Sequence, residues 1–282
     1  MVFNGAGPAE QFPKHCLKIL VVDDDDLNRR MMRLILVRYG HDVQVVANGI
    51  EALEAVKEQK FDFVFMDLQM PLMDGFEASR RIREWENGGV RTYIVALTAS
   101  YFPEEGQRLF EVGIDNYIAK PFEVEHIRRL LDVFARSGHH LPAAVHSEAD
   151  GSPEKHDILD IGKGLQQLSG DVKIYQELLT DFIQGLPGRL SILEQLLTEK
   201  DADSLVREAH NLKGVASNLG ALQLADYAGK LEKQSIEGGS DRDENLISDL
   251  NRAGSNLQKA VTEFLNNREK IILSAEKISL ED

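Results

Sequence analysis

The chain has one cysteine, Cys16, so no disulfide can form within it and the fold must rest on packing alone. A lone thiol suits a reducing compartment. No apolar run approaches the roughly 20 residues that span a bilayer, and the amino terminus lacks the basic block and apolar stretch of a secretion signal. These absences predict a cytoplasmic chain, or the cytosolic end of a longer membrane protein, with no membrane contact by this segment. Basic charge is also short: 32 Lys and Arg against 47 Asp and Glu leave a net charge of -15. That excludes the basic face by which nucleic acid is held, and no helix-turn-helix or zinc-ligand spacing argues otherwise. The excess acid is spread over both halves and reads mostly as solvated helix surface. Nucleotide loops are missing as well. Gly-x-x-x-x-Gly-Lys does not occur, and Gly162-Lys163-Gly164 follows no strand.

What is present divides in two, as 282 residues allow. Residues 1–16 carry Gly, Pro and mixed polar residues without a period and read as a mobile leader. Over 17–136 short apolar runs alternate with amphipathic segments, predicting strands at 17–22, 42–46, 61–66, 92–97 and 115–118. Helices are expected between and after them at 27–38, 49–58, 75–86, 104–112 and 124–136. Five such alternations predict an α/β doubly wound, five-stranded parallel sheet covered on both faces. Residues 137–156 lose the pattern and gain Gly, Pro, Ser and His, as a linker does. Over 157–267 an all-α helical bundle is expected, with helices at 158–168, 171–198, 201–219, 221–237 and 243–267. Asp171 and Asp201 suit N-caps, Gly170, Gly220 and Gly238-Gly239 suit stops, and Pro187 should kink or divide the second helix. The tail, 268–282, has no clear pattern.

Four apolar runs each deliver a polar residue at or just past their end: Asp23-Asp24, Asp67, Thr98, and Lys120 before Pro121. In a parallel sheet those carboxyl ends share one edge, where open α/β folds bind ligands. Three carboxylates, a hydroxyl and an ammonium from four strands can hold a divalent metal and a phosphoryl group. The strings VVDDDDLNR (21–29), FMDLQMPLMDG (65–75), ALTAS (96–100) and YIAKPF (117–122), in this order, resemble the receiver domain of two-component response regulators. The resemblance implies a flavodoxin-like sheet. It implies Asp67 as phospho-acceptor, and Mg²⁺ held by Asp24, Asp67 and the backbone carbonyl of Gln69, with Asp23 acting through water. Thr98 and Lys120 would hold phosphoryl oxygens. Assigning Asp23 and Asp24 follows from their place directly after Val22, while one or two of Asp23 to Asp26 should cap the next helix. Asp74-Gly75 reads as a turn and helix start. Family receivers pair the Thr98 position with a reorienting aromatic, which Tyr117 matches; an aromatic covering the sheet end fits Tyr117 equally. Tyr101-Phe102-Pro103 replaces the small polar residues usual after the Thr98 segment.

In the second half, Leu205, Ala209, Leu212, Ala216 and Leu219 mark a buried helical stripe. His210 lies beside it, with Lys213 and Gly214 three and four residues on, so the three are expected to share one outward-facing patch. Gly214 weakens a helix by about 1 kcal/mol relative to Ala, and the bare surface would let another protein approach the imidazole. Ala209 to Gly214, with LSGDVKIYQELLTDFI (168–183), resembles the histidine phosphotransfer domain. That implies His210 as a phospho-acceptor and Lys213 as a phosphate-balancing cation. His15, His41 and His126 read as surface residues, and His139, His140, His146 and His156 as linker.

A receiver followed by a phosphotransfer bundle is the carboxy-terminal arrangement of hybrid sensor histidine kinases. The expected function is a phosphorelay, with an upstream histidine kinase and a downstream receiver-domain response regulator as partners. With no ATP-binding kinase domain in this chain, the phosphate comes from another protein or a small phosphodonor. The alternatives are a phosphate sink, and a non-catalytic docking module regulating a histidine kinase.

Overall fold

A computed structural model describes residues 16–98, 108–120, 124–137, 158–168, 170–237 and 240–278. The leader up to residue 15, Tyr101-Phe102-Pro103, Pro121, the linker histidines and Gly238-Gly239 lie outside the described residues.

The first unit is a five-stranded sheet with the order β2-β1-β3-β4-β5: β1 Lys18–Val22, β2 Asp42–Val46, β3 Phe63–Asp67, β4 Tyr93–Thr98 and β5 Asn116–Ala119. β1 pairs parallel with β2 and β3, and β3 with β4. The order follows from the sequence pattern. β3 is buried along its whole length, as is β1 but for its first residue, while β2, at the edge, has no fully buried position. Alternate residues serve opposite faces. Leu20, Val22, Val64, Met66, Ile94 and Ala96 pack with Ala52, Ala78 and Ile82 on one side. On the other, Phe63 meets Phe65 at 4.9 Å between ring centroids and Phe134 edge-on at 5.2 Å. Tyr117 is 6% exposed and joins the first of these cores, so its ring lies inside.

Helices α1 Asp26–Arg38, α2 Gly49–Glu58, α3 Gly75–Glu86 and α4 Val124–Ser137 flank the sheet, and residues 108–111 form a helical turn. Their starts are set by side-chain caps. Asp25 accepts from the N–H groups of Leu27 and Asn28, Asn48 from those of Ile50 and Glu51, and Asp74 from that of Glu77. A polar clasp closes the opposite, amino edge of the sheet. There Arg83 reaches Asp115 at 2.6 Å and the Gly113 carbonyl at 2.8 Å, and Asp115 also accepts from the Ile94 N–H.

The second unit is helical: α5 Ile161–Gln166, α6 Val172–Glu199, α7 Ala202–Asn218, α8 Leu222–Glu237 and α9 Ser240–Ile278. Asp171 and Asp201 are N-caps, and Gly170 and Gly220 adopt positive φ as the stops require. The pattern predicts a helix over 158–168, but only 161–166 is helical. The tail beyond 267 continues α9 to Ile278. Pro187 does not divide α6, which is one element from 172 to 199. Proline removes the N–H that would bond the carbonyl four residues earlier. That carbonyl belongs to Ile183, and it accepts from Gln258 Nε2 of α9 at 3.3 Å. A neighbouring helix thus repairs the missing bond. α9 comes close here because Gly254 has no side chain: a Cβ there would sit 3.0 Å from Leu190.

His41 is a correction. Expected at the surface, it is 6% exposed, and its Nδ1 accepts from the Leu17 N–H at 3.3 Å. The turn after α1, with Gly40 at φ 84, folds it under the start of β1. Burial lowers its pKa below the ordinary 6.5, opposed by the charge of Asp132. A depressed histidine keeps its full stabilising share above the unfolded value and loses it as pH falls through the folded one. Chemical denaturation of the wild type is expected to weaken from pH 7 towards pH 5. His41→Asn, which keeps an acceptor near Nδ1, is expected to lose that share of the pH dependence.

Candidate functional site

Register brings the strand-end residues together. Val22 pairs with Met66, so the residues that follow, Asp23 and Asp67, stand side by side at the carboxyl edge. Asp67 pairs with Leu97, which puts Thr98 one step beyond it on the next strand. Lys120 directly follows β5 at the same edge. Asp23 and Asp67 are each 1% exposed, Thr98 and Lys120 are buried, and Asp24 is half-buried. Carboxylate oxygens of Asp23, Asp24 and Asp67 all lie within 4.8 Å of one another.

The loops around this cluster are built to hold it. Of the four consecutive aspartates, Asp25 is the helix cap, which leaves Asp23 and Asp24 for the site. Asp23 Oδ1 accepts from the Asp25 N–H at 3.0 Å and from Asn28 Nδ2 at 3.3 Å, fixing its orientation. Asp67 Oδ1 accepts from the Gln69 N–H at 3.2 Å, and the Gln69 side chain points to the exposed rim. Gly75 packs directly on the Asp67 backbone: a Cβ there would collide with the Asp67 carbonyl oxygen. A larger residue at 75 would push the aspartate out of register.

Three ionised carboxylates repel. Two unit charges within 4.8 Å oppose one another by roughly 3 kcal/mol at an effective dielectric near 20. Such a cluster calls for a cation, and its donors are all hard oxygens. That set fits Mg²⁺ or Ca²⁺ and not the softer metals that favour thiolate or imidazole.

In the second unit, His210 lies on α7 but is not outward-facing as its spacing suggested. It is 4% exposed, because α8 packs across it. Its Nδ1 is 2.7 Å from Glu232 Oε1. Lys213 Nζ, on the next turn, is 3.1 Å from Glu232 Oε2, and its stem lies over Gly229, 3.3 Å from where a Cβ would be. Glu232 therefore holds both groups. Burial raises its pKa, but the hydrogen bonds and charges of His210 and Lys213 outweigh that and draw it below the ordinary value. An ionised carboxylate only accepts, so the ring proton must sit on Nδ1. In the neutral ring Nε2 then carries the lone pair, and among the described residues it has no hydrogen-bond partner. Nothing in the sequence singles out Glu232. It lies 22 residues from His210 with no motif joining them. Gly214 is as bare as expected, with nothing within 4 Å of a would-be Cβ.

The chain matches two family descriptions: the response regulator receiver domain over residues 19–132 and the Hpt domain over 177–266. It is 30% identical to the sensor histidine kinase GacS of Pseudomonas protegens over 222 residues, 77% of this chain and 24% of GacS. It is 28% identical to the aerobic respiration control sensor protein ArcB of Escherichia coli over 245 residues, 86% of this chain and 31% of ArcB. The chain thus spans about a quarter to a third of these relatives. Among solved structures, it is similar to the magnesium-bound receiver domain of the sensor histidine kinase PA1611 from Pseudomonas aeruginosa. There the identity is 34% and the TM-score 0.40, over 43% of this chain and 98% of that one. Among the described residues no helix is long and apolar enough to cross a membrane.

Two outcomes follow from the geometry. Asp67→Asn removes one of the three charges, so without metal it is expected to be more stable than the wild type by about 1–3 kcal/mol in urea unfolding. Mg²⁺ should stabilise the wild type and do so much less in the variant. In the bundle, the lowered Glu232 pKa means its contribution is complete above the ordinary 4.5 and is lost as pH falls through the folded value. Acid unfolding of Glu232→Gln is therefore expected to show a shallower acid limb than the wild type.

Proposed function

We propose that this chain, a member of the response regulator receiver family over residues 19–132 and of the Hpt family over 177–266, is a phosphorelay intermediate. The observation that carries this is the close trio Asp23, Asp24 and Asp67 at the carboxyl edge of the sheet, in a chain that also holds a buried, carboxylate-oriented histidine.

In the first step Asp67 takes a phosphoryl group from an upstream histidine kinase: the P–N bond to the donor imidazole breaks as a P–O bond to the Asp67 carboxylate forms. Mg²⁺ at Asp24, Asp67 and the Gln69 carbonyl, with Asp23 through water, would neutralise the carboxylates so that the anionic group can approach. Lys120 and the Thr98 hydroxyl hold the phosphoryl oxygens. In the second step the P–O bond breaks as His210 Nε2 forms the P–N bond. The proton stays on Nδ1 throughout, and Glu232 balances the positive charge that the ring gains. Lys213, already at the Glu232 carboxylate, is close enough to turn to the phosphate. His210 then passes the group to a downstream receiver-domain response regulator. Because His210 and Asp67 are both recessed, the bare turn at Gly214 gives the receiver its approach. All of this fits a cytoplasmic location, on its own or as the cytosolic part of a membrane-bound sensor kinase.

The test is treatment of the whole chain with acetyl phosphate and Mg²⁺, followed by mapping of the phosphate. The expected result is base-labile phosphate on Asp67 and acid-labile phosphate on His210, the latter lost in Asp67→Asn. Phosphate at neither residue would sink the relay. Rapid loss of all label would make the chain a phosphate sink.

A further inference from the structure

The loop between β3 and α3 contains a residue that nothing in its own domain explains. Three described residues other than glycine have positive φ: Leu72, Asn87 and Lys200. Asn87 and Lys200 end helices, where that conformation is common. Leu72 instead sits at the centre of a three-residue turn, with the Met73 N–H donating to the Pro71 carbonyl at 2.8 Å and φ at 68. This is the strained hand of such a turn, where glycine or asparagine would be at ease. Leu72 is also 82% exposed, more than any other large apolar side chain among the described residues. The loop is not loose. Its two sides are tied by the Gly75 N–H to the Leu68 carbonyl at 3.1 Å, and the start of α2 is bonded to it by the Gly49 N–H to the Met73 carbonyl at 3.2 Å. A leucine is thus held out on a strained turn, five residues from Asp67, where neither turn nor core benefits. Unfavourable backbone of this kind persists where function requires it.

We infer that Leu72 is the apolar anchor on which the histidine-bearing helical bundle seats when it exchanges phosphate with Asp67. It would be a specificity residue for transfer between proteins and not for the chemistry. The inference rests on the relay reading above. The occupant follows from the geometry of transfer. Reacting atoms must come within about 3–3.5 Å of each other. Asp67 is 1% exposed and a histidine such as His210 only 4%, so they meet only if the surfaces around them touch. The partner's footprint must then cover the tied loop that carries Leu72. On the bundle, the surface beside the histidine is stripped of side chain at Gly214, which suits a protruding leucine. A small phosphodonor covers no such area and has no use for it.

The test uses two full-length chains. The donor carries His210→Gln and is loaded at Asp67 with acetyl phosphate. The acceptor carries Asp67→Asn, and acid-labile phosphate arriving on its His210 is timed. Leu72→Asn and Leu72→Gly in the donor, both at ease with positive φ, are expected to slow this transfer by about tenfold. Leu72→Met should restore it, and loading by acetyl phosphate should stay within about twofold of the unsubstituted rate in all three. Unchanged transfer overturns the inference, as does an equal loss of loading, which would place Leu72 in the acceptor chemistry. If the donor loads but the unsubstituted pair transfers nothing, the relay reading fails and takes this inference with it.

Discussion

Three carboxylates held within 4.8 Å of one another at the end of a parallel sheet are the constraint on which the receiver half turns. Left to themselves they repel, and the surrounding structure exists to keep them from parting. Asp25 caps α1 so that Asp23 and Asp24 do not have to, Asn28 and the Asp25 N–H hold Asp23, and Gly75 lets the chain press against the Asp67 backbone. The sheet is buried on both faces, so the strands cannot slide to relieve the repulsion. The result is a cluster of hard oxygen donors of the kind that suits a divalent cation.

The bundle solves the opposite problem. It buries a histidine, His210, and a single carboxylate, Glu232, orients the ring through Nδ1. Glu232 keeps a proton on Nδ1 and draws Lys213 to the same spot, so that a counter-charge stands ready for any positive charge the ring gains. Because α8 supplies that carboxylate, it also covers the histidine. The recess at His210 and the bare turn at Gly214 lie on one face of α7, four residues apart.

Much of this was legible in the chain itself. The alternation of apolar runs and amphipathic stretches marks all five strands to within two residues at either end. Asp67, Thr98 and Lys120 stand out because each ends or follows an apolar run. Asp171 and Asp201 announce their helices because capping is local chemistry. Where local pattern did not decide the outcome, a partner distant in sequence did. Pro187 is tolerated because Gln258 bonds the carbonyl it orphans. His41 is inside because Leu17 needs an acceptor there. His210 is covered because Glu232 lies across from it.

The sequence by itself determined the periodicities, the caps and the order of the chemical groups along the chain, since each depends on residues a few positions apart. It thereby determined that carboxylates, hydroxyl and ammonium would meet at one sheet edge. Only the tertiary structure decided how close the carboxylates come, which of four aspartates caps the helix, which nitrogen of His210 meets Glu232, and that Leu72 stands out on a strained turn. Those depend on packing between segments tens of residues apart, where neither spacing nor composition carries the distance.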